Sequence, residues 1–154
     1  MTAVSIPTAG ELSITRILDA PRELVFRMWS QPEHMRRWSC PQGFTQPGGG
    51  MEFKPGGAWS AHMRGPDGED FRLGGIYKEI VPGERIVFTH AWLDAEGKPG
   101  PATLVTVTFA DQGKKTRLTF QQTGFDSEAS RDGHLGGWAE CFDKLATYLA
   151  ELQA

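Results

Sequence analysis

The side chains of this chain best suited to chemistry are four histidines and two cysteines: His34, His62, His90, His134, Cys40 and Cys141. A metal centre needs such donors at short repeating separations, as in His-x-His or His-x3-His, so that one turn or strand aims both at one point. No such histidine pair occurs, and no metal site is expected. The two cysteines lie far apart in sequence and make no disulfide framework; both are expected to be reduced. No nucleophile–base–orienter set stands out. Cys141 falls on an apolar stripe, where a thiol behaves as a small hydrophobe, and Glu140 beside it reads as helix surface. Gly48-Gly49-Gly50 and Gly56-Gly57 lack the Lys-Ser/Thr of a phosphate loop, so no nucleotide or other cofactor is implied.

What remains is the chemistry of binding. Five Trp and nine Phe supply large rigid contact area, for a core or around an apolar ligand. Along an extended chain, side chains two apart share a face. Phe88, His90 and Trp92 therefore stand together, as do Val105, Val107 and Phe109, and Leu118, Phe120 and Gln122. Trp59, Ala61 and Met63 alternate with Ser60 and His62, and the pattern leaves open which of these two sets points inward. His90, flanked on its face by Phe88 and Trp92, is the best candidate for a polar group inside a pocket. The ordinary alternative is a buried neutral histidine satisfied by a backbone carbonyl. His34, on a short helix, is expected to be solvated.

These faces need elements to hold them. Leu135, Trp138, Cys141, Phe142, Leu145, Tyr148, Leu149 and Leu152 recur at helical spacing, which predicts a long amphipathic helix over 133–152. Trp138, Cys141, Phe142 and Leu145 would sit near its middle, with Leu149 and Leu152 plugging the far end. His134 would begin it, and Gly136-Gly137 reads as a fraying first turn. Before it, strands are expected at Glu11–Asp19, Ala58–Arg64, Phe71–Val81, Arg85–Leu93, Ala102–Phe109 and Lys115–Thr123. Two short helices follow the first strand, around Leu24–Trp29 and Pro32–Trp38. Residues 39–57, rich in Pro and Gly, read as flexible or irregular, and Gly74-Gly75 as a bulge or close backbone approach. Short connections favour an antiparallel sheet, and one long helix across one sheet is an α+β architecture.

The totals set limits. At 154 residues, 39% hydrophobic and 23% charged, the chain reads as one globular domain over 11–154 behind a leader at 1–10. A net charge of −3 offers no footprint for nucleic acid or an anionic membrane. With no signal-like N-terminus and no long apolar run, a cytoplasmic location is expected.

The order of motifs also resembles a known family. Ile14-Thr15-Arg16 with Ala20-Pro21, Val25-Phe26 and Trp29 looks like an opening strand and helix, and Pro32-Glu33 with Trp38 like a second helix. Gly56-Gly57, Met63 and Gly65-Pro66-Asp67-Gly68 look like a middle hairpin. The most specific stretch runs from Gly75-Ile76-Tyr77-Lys78-Glu79 through Pro82-Gly83-Glu84-Arg85 to Thr89, with Trp92 after it. Thr106–Phe109, Thr116–Thr119, Gly124-Phe125, Gly137-Trp138 and Leu145 complete the pattern. Together these resemble the START-like (Bet v 1-like, SRPBCC) superfamily, in the branch named after the activator of Hsp90 ATPase homologue 1. The resemblance implies a helix-grip fold: a curved antiparallel sheet of about six or seven strands around the C-terminal helix, with a cavity between them. Members bind or turn over diverse apolar or amphipathic molecules. The eukaryotic namesake stimulates Hsp90 and carries a separate N-terminal domain, for which these residues leave no room. A chaperone role is therefore not carried over from the name.

A binding protein for a small apolar ligand is the expected function. Its cavity candidates are Trp59, Met63, Phe88, His90, Trp92, Val107 and Phe120 from strands, with His134, Trp138, Cys141, Phe142 and Leu145 from the helix. Trp38 would cap the mouth. An enzyme acting on a hydrophobic substrate in the same cavity, and a protein-interaction module, are the alternatives; a homodimer is a further possibility. The bland counterpart is that an apolar stripe is core more often than pocket.

Overall fold

The computed structural model describes residues 10–154 and the backbone of residues 2–4. The elements run β1 (Thr2–Val4), β2 (Glu11–Leu18), α1 (Arg22–Ser30), α2 (Pro32–Trp38), β3 (Thr45–Met51), β4 (Ala58–Arg64), β5 (Asp70–Val81), β6 (Arg85–Leu93), β7 (Thr103–Gln112), β8 (Lys115–Thr123) and α3 (Glu128–Leu152). All strands join one antiparallel sheet in the order β1-β2-β8-β7-β6-β5-β4-β3. The α+β helix-grip architecture expected from the sequence is the one found, with the seven strands β2–β8 as its body. Short β1 extends the edge by pairing Thr2 with Arg16, so part of the expected leader is a strand; residues 1 and 5–9 lie outside the described residues.

Alternation places the core. On β2, Leu12, Ile14 and Leu18 are buried, and on β7 and β8 the buried set is Val105, Val107, Phe109, Leu118 and Phe120. Against these pack Phe142, Leu145 and Leu149 of α3 and Val25, Met28 and Trp29 of α1, all in one cluster. Each such side chain removed from water contributes roughly 1.5–3 kcal/mol before entropy is counted. Arg16 enters the same face from β2. Its guanidinium pairs with Asp143 at 2.9 Å and lies over the Phe142 ring, tying the sheet to the helix.

Several local expectations are corrected. The glycine-rich 48–50 stretch is β3, not a flexible loop. Gly49 has φ +136°, and a Cβ there would sit 2.6 Å from the Ser60 carbonyl, so only glycine lets β3 lie this close to β4. The last helix starts at Glu128, well before Gly133. Ser127 caps it, its Oγ accepting the Ser130 N–H at 3.1 Å. Gly136-Gly137 is thus in the helix interior rather than a fraying first turn. Leu152 is 43% exposed and plugs nothing, whereas Leu149 is buried. His34 is not free in solvent: its Nδ1 meets the Tyr148 hydroxyl at 2.6 Å, joining α2 to α3.

Gly74-Gly75 marks a close approach, as expected. A Cβ on Gly75 would fall 1.8 Å from the Thr89 carbonyl oxygen and 2.7 Å from Trp59 Nε1. That space is used by Trp59, whose indole N–H donates to the Thr89 carbonyl at 3.0 Å. The Thr89 hydroxyl accepts the Ile76 N–H at 2.8 Å.

Candidate functional site

Close backbone packing of α3 is against β2 and α2. Along its first half, the sheet strands β4–β6 stand off from it, and the gap is a cleft of about 360 Å³. One wall is the sheet: Met63 on β4, Phe71 and Leu73 on β5, His90 and Trp92 on β6. Met63 lies opposite Phe71, and Leu73 opposite Trp92, in the strand register. Trp59, Ala61 and Met63 are therefore the inward set of β4. His62 takes the outer side, where its Nε2 and Arg64 Nε both meet Asp70 Oδ1. The His62 and Arg64 hydrogen bonds hold the Asp70 carboxyl below its ordinary range.

The facing wall is α3. Ala129, Gly133, Gly137 and Cys141 line the cleft, and their four-residue spacing puts them on one helix face. Their small size makes the hollow: a Cβ on Gly133 would meet no atom within 4 Å. Trp138 and His134 flank this stripe, and Ser39, Pro41 and Phe44 close one side from the segment after α2. A smaller cavity of about 70 Å³ lies toward α2 and β3, reached by Trp59, Phe88, Tyr77 and Met51. Ser39, Leu73, His90 and Trp138 line both spaces.

The orientation of the walls is fixed by hydrogen bonds. Trp138 Nε1–H donates to Gln122 Oε1 at 2.8 Å, Gln122 Nε2–H to Thr103 Oγ1 at 2.8 Å, and the Thr103 hydroxyl to the His90 carbonyl at 3.1 Å. Gln122 is 0% exposed, so this chain meets the need of buried polar atoms for partners. His134 Nδ1–H donates to the Ser130 carbonyl at 2.7 Å, and its Nε2 accepts the Trp92 indole N–H at 3.1 Å. Those two bonds select the neutral tautomer with the proton on Nδ1.

His90 is 4% exposed. Its ring is boxed by Trp59, Trp92, His134 and Trp138, with centroids 5.7 to 6.0 Å away. Burial, with a smaller effect of His134, pushes its pKa down to about 3, so the imidazole is neutral at pH 7. Burial pushes the Cys141 thiol up, which disfavours a thiolate. Burial likewise raises the Tyr77 phenol. Among the described residues, no group of His, Cys, Asp and Glu is arranged to hold a metal ion.

Of the residues singled out by sequence, Met63, His90, Trp92, His134, Trp138 and Cys141 line the main cleft, and Trp59 and Phe88 the smaller cavity. Val107, Phe120, Phe142 and Leu145 are sealed in the core and line neither space. Trp38 does not cap a mouth. It is fully buried against Trp29 at 4.7 Å, its Nε1–H donating to the Met28 carbonyl. Phe71, Leu73 and, on the small-residue face of α3, Ala129 and Gly133 were missed. The signals were present: the Pro66-Asp67-Gly68 hairpin sets Phe71 opposite Met63, and Ala129, Gly133, Gly137 and Cys141 recur every fourth residue.

A curved antiparallel sheet gripping a C-terminal helix, with an apolar cleft where the two diverge, defines a helix-grip protein of the START-like class. Residues 19–150 match the family described as "Activator of Hsp90 ATPase homolog 1-like protein", and the chain belongs to that family. A solved protein from Chromobacterium violaceum is 28% identical, with a TM-score of 0.80 over 91% of this chain and 96% of that one. One from Arthrobacter aurescens is 26% identical, with a TM-score of 0.85 over 97% and 91%. The AHSA1 protein from Silicibacter pomeroyi, at 23% identity, shares the fold with a TM-score of 0.86 over 94% and 99%. No curated protein matches the chain.

Proposed function

We propose that this protein binds a small apolar or amphipathic molecule in the cleft between α3 and strands β4–β6. The observation that supports this reading is the cleft itself: about 360 Å³, walled by Met63, Phe71, Leu73, Trp92 and Trp138, with no charged side chain on its lining. That size lies within the usual range for ligand sites, and such sites are mostly apolar with a few placed polar groups. The chemistry of the walls favours holding over turnover. An imidazole with a pKa near 3 is a weak base at pH 7, and a thiol pushed up is a weak nucleophile. The exposed large apolar side chains, Ile76, Trp92, Leu104 and Leu152, lie one each on β5, β6, β7 and α3. Of them, only Trp92 borders the cleft.

The experiment is a thermal-shift screen of neutral aromatic, terpenoid and acyl compounds, followed by tryptophan-fluorescence titration of the hits. A ligand at about 100 times its Kd adds roughly 2.7 kcal/mol of stability, a rise of several degrees. Quenching should accompany it, because Trp92 and Trp138 are on the wall. A screen in which no compound shifts the melting temperature or the fluorescence would remove this reading.

A further inference from the structure

We infer that the ligand of this cleft is a neutral aromatic molecule carrying one hydroxyl or N–H group, and that His90 is the side chain that hydrogen-bonds it. This rests on the binding function proposed above and names its chemical class. The polar side chains on the lining are Ser39, His90, Ser130, His134 and Cys141. Most have partners within the protein or make poor ones. The Ser39 hydroxyl donates to the Met35 carbonyl at 2.6 Å and accepts the Gln46 Nε2–H. Both nitrogens of His134 are held, by Ser130 and Trp92. A thiol such as Cys141 is a weak donor and acceptor. Ser130 is only half-buried, in the first turn of α3.

His90 is different. It is almost fully buried, and its hydrogen bond within the protein is to its own backbone, which can satisfy one ring nitrogen and not both. It lines the main cleft, the smaller cavity toward α2, and a third hollow of about 100 Å³ bounded by Thr103, Phe125 and Asp126. A neutral imidazole carries one lone-pair nitrogen, which accepts a hydroxyl or N–H from the ligand.

The surroundings choose the rest of the molecule. With no cation on the lining, a carboxylate entering the cleft loses its water and gains no counter-charge, and an ammonium fares no better. The rings of Trp92, Phe71 and Trp138 offer faces and edges to a planar apolar body. The cleft holds on the order of a dozen waters' worth of volume, enough for a fused bicyclic ring system.

The test uses three probes of one shape with the full-length protein: 2-naphthol, naphthalene and 2-naphthoate, titrated by tryptophan quenching at pH 7.5. The expected order is 2-naphthol tightest, naphthalene weaker by about three- to tenfold, the worth of one hydrogen bond, and 2-naphthoate weakest. In His90→Phe, which keeps a ring in the box, 2-naphthol should fall to the level of naphthalene. His90→Gln, which keeps a hydrogen-bonding group, should retain part of the preference. Equal binding of 2-naphthol and naphthalene to the wild type overturns the inference while leaving the binding function standing. So does a preference for 2-naphthoate, or an unchanged preference in His90→Phe. If all three probes fail to bind and the broader screen also fails, the binding function falls, and this inference with it.

Discussion

The burial of His90 has a consequence for stability that can be measured without any ligand. Folded, the imidazole is held down to about 3; the ordinary value is 6.5. Between those two values the unfolded chain takes up a proton that the folded chain refuses. Stability is therefore complete above pH 6.5 and is lost as the pH falls toward the folded value. Each unit below 6.5 costs up to about 1.4 kcal/mol, so the loss from this residue at pH 5 is about 2 kcal/mol. Its ring is 4% exposed, so solvent screening takes little away. The perturbation is His90→Phe, which cannot titrate and keeps an aromatic ring among Trp59, Trp92, His134 and Trp138. Urea denaturation of both proteins at pH 7.5 and pH 5.0, followed by tryptophan fluorescence, gives four free energies. The carboxylates and other histidines, among them His134 in ring contact with His90 and Asp126 on a shared hollow, are present in both proteins, and their contributions largely cancel in the difference. Going from pH 7.5 to 5.0, the variant should gain on the wild type by about 2 kcal/mol, equivalent to roughly 4–8 °C in a domain of this size. A gap that stays constant to within about 0.5 kcal/mol would refute the buried neutral imidazole and the hydrogen-bonding role built on it.

Five further substitutions test the packing. Gln122→Leu strands the Trp138 indole N–H inside the protein. It should cost about 2 kcal/mol in urea denaturation and loosen Trp138, seen as lost near-ultraviolet circular dichroism. Gly136→Ala meets open space on the exposed side of α3, and should stabilise the protein by about 0.5–1 kcal/mol while leaving cleft binding unchanged. Gly133→Phe projects into the cleft instead, and should abolish probe quenching while the protein still melts cooperatively. Gly75→Ala drives a Cβ onto the Thr89 carbonyl and should destabilise by about 3 kcal/mol or more. Gly50→Ala, with no neighbour within 4 Å, should change the melting midpoint by little.

The chain by itself determined the ladder and the stripe. Alternation on β2, β6, β7 and β8 marks inward faces because a strand repeats every two residues, and the 3.6 period of α3 marks one buried face. The order of those elements, with short turns between most of them, left a single α+β architecture, and its motifs pointed to the family. Local chemistry was less legible where polar or glycine residues form regular structure. The first turns of α3 carry no apolar stripe, so its start at Glu128 was hidden except for the Ser127 cap. β3 reads as loop because its three glycines have low strand propensity, while Gly49 is needed for the close approach to β4.

Only the tertiary structure decided which inward residues seal and which ones line a space. Val107, Phe120 and Phe142 follow the same inward pattern as Met63 and His90. They are core because β7 and β8 belong to the part of the sheet that packs against α1 and the second half of α3. Met63 and His90 border a cleft because β4–β6 stand off from the small-residue face of the same helix. Trp38 looked like a lid and is core because α2 folds it beneath Trp29. Curvature of the sheet relative to the helix is a property of the whole assembly, and no single segment's periodicity carries it.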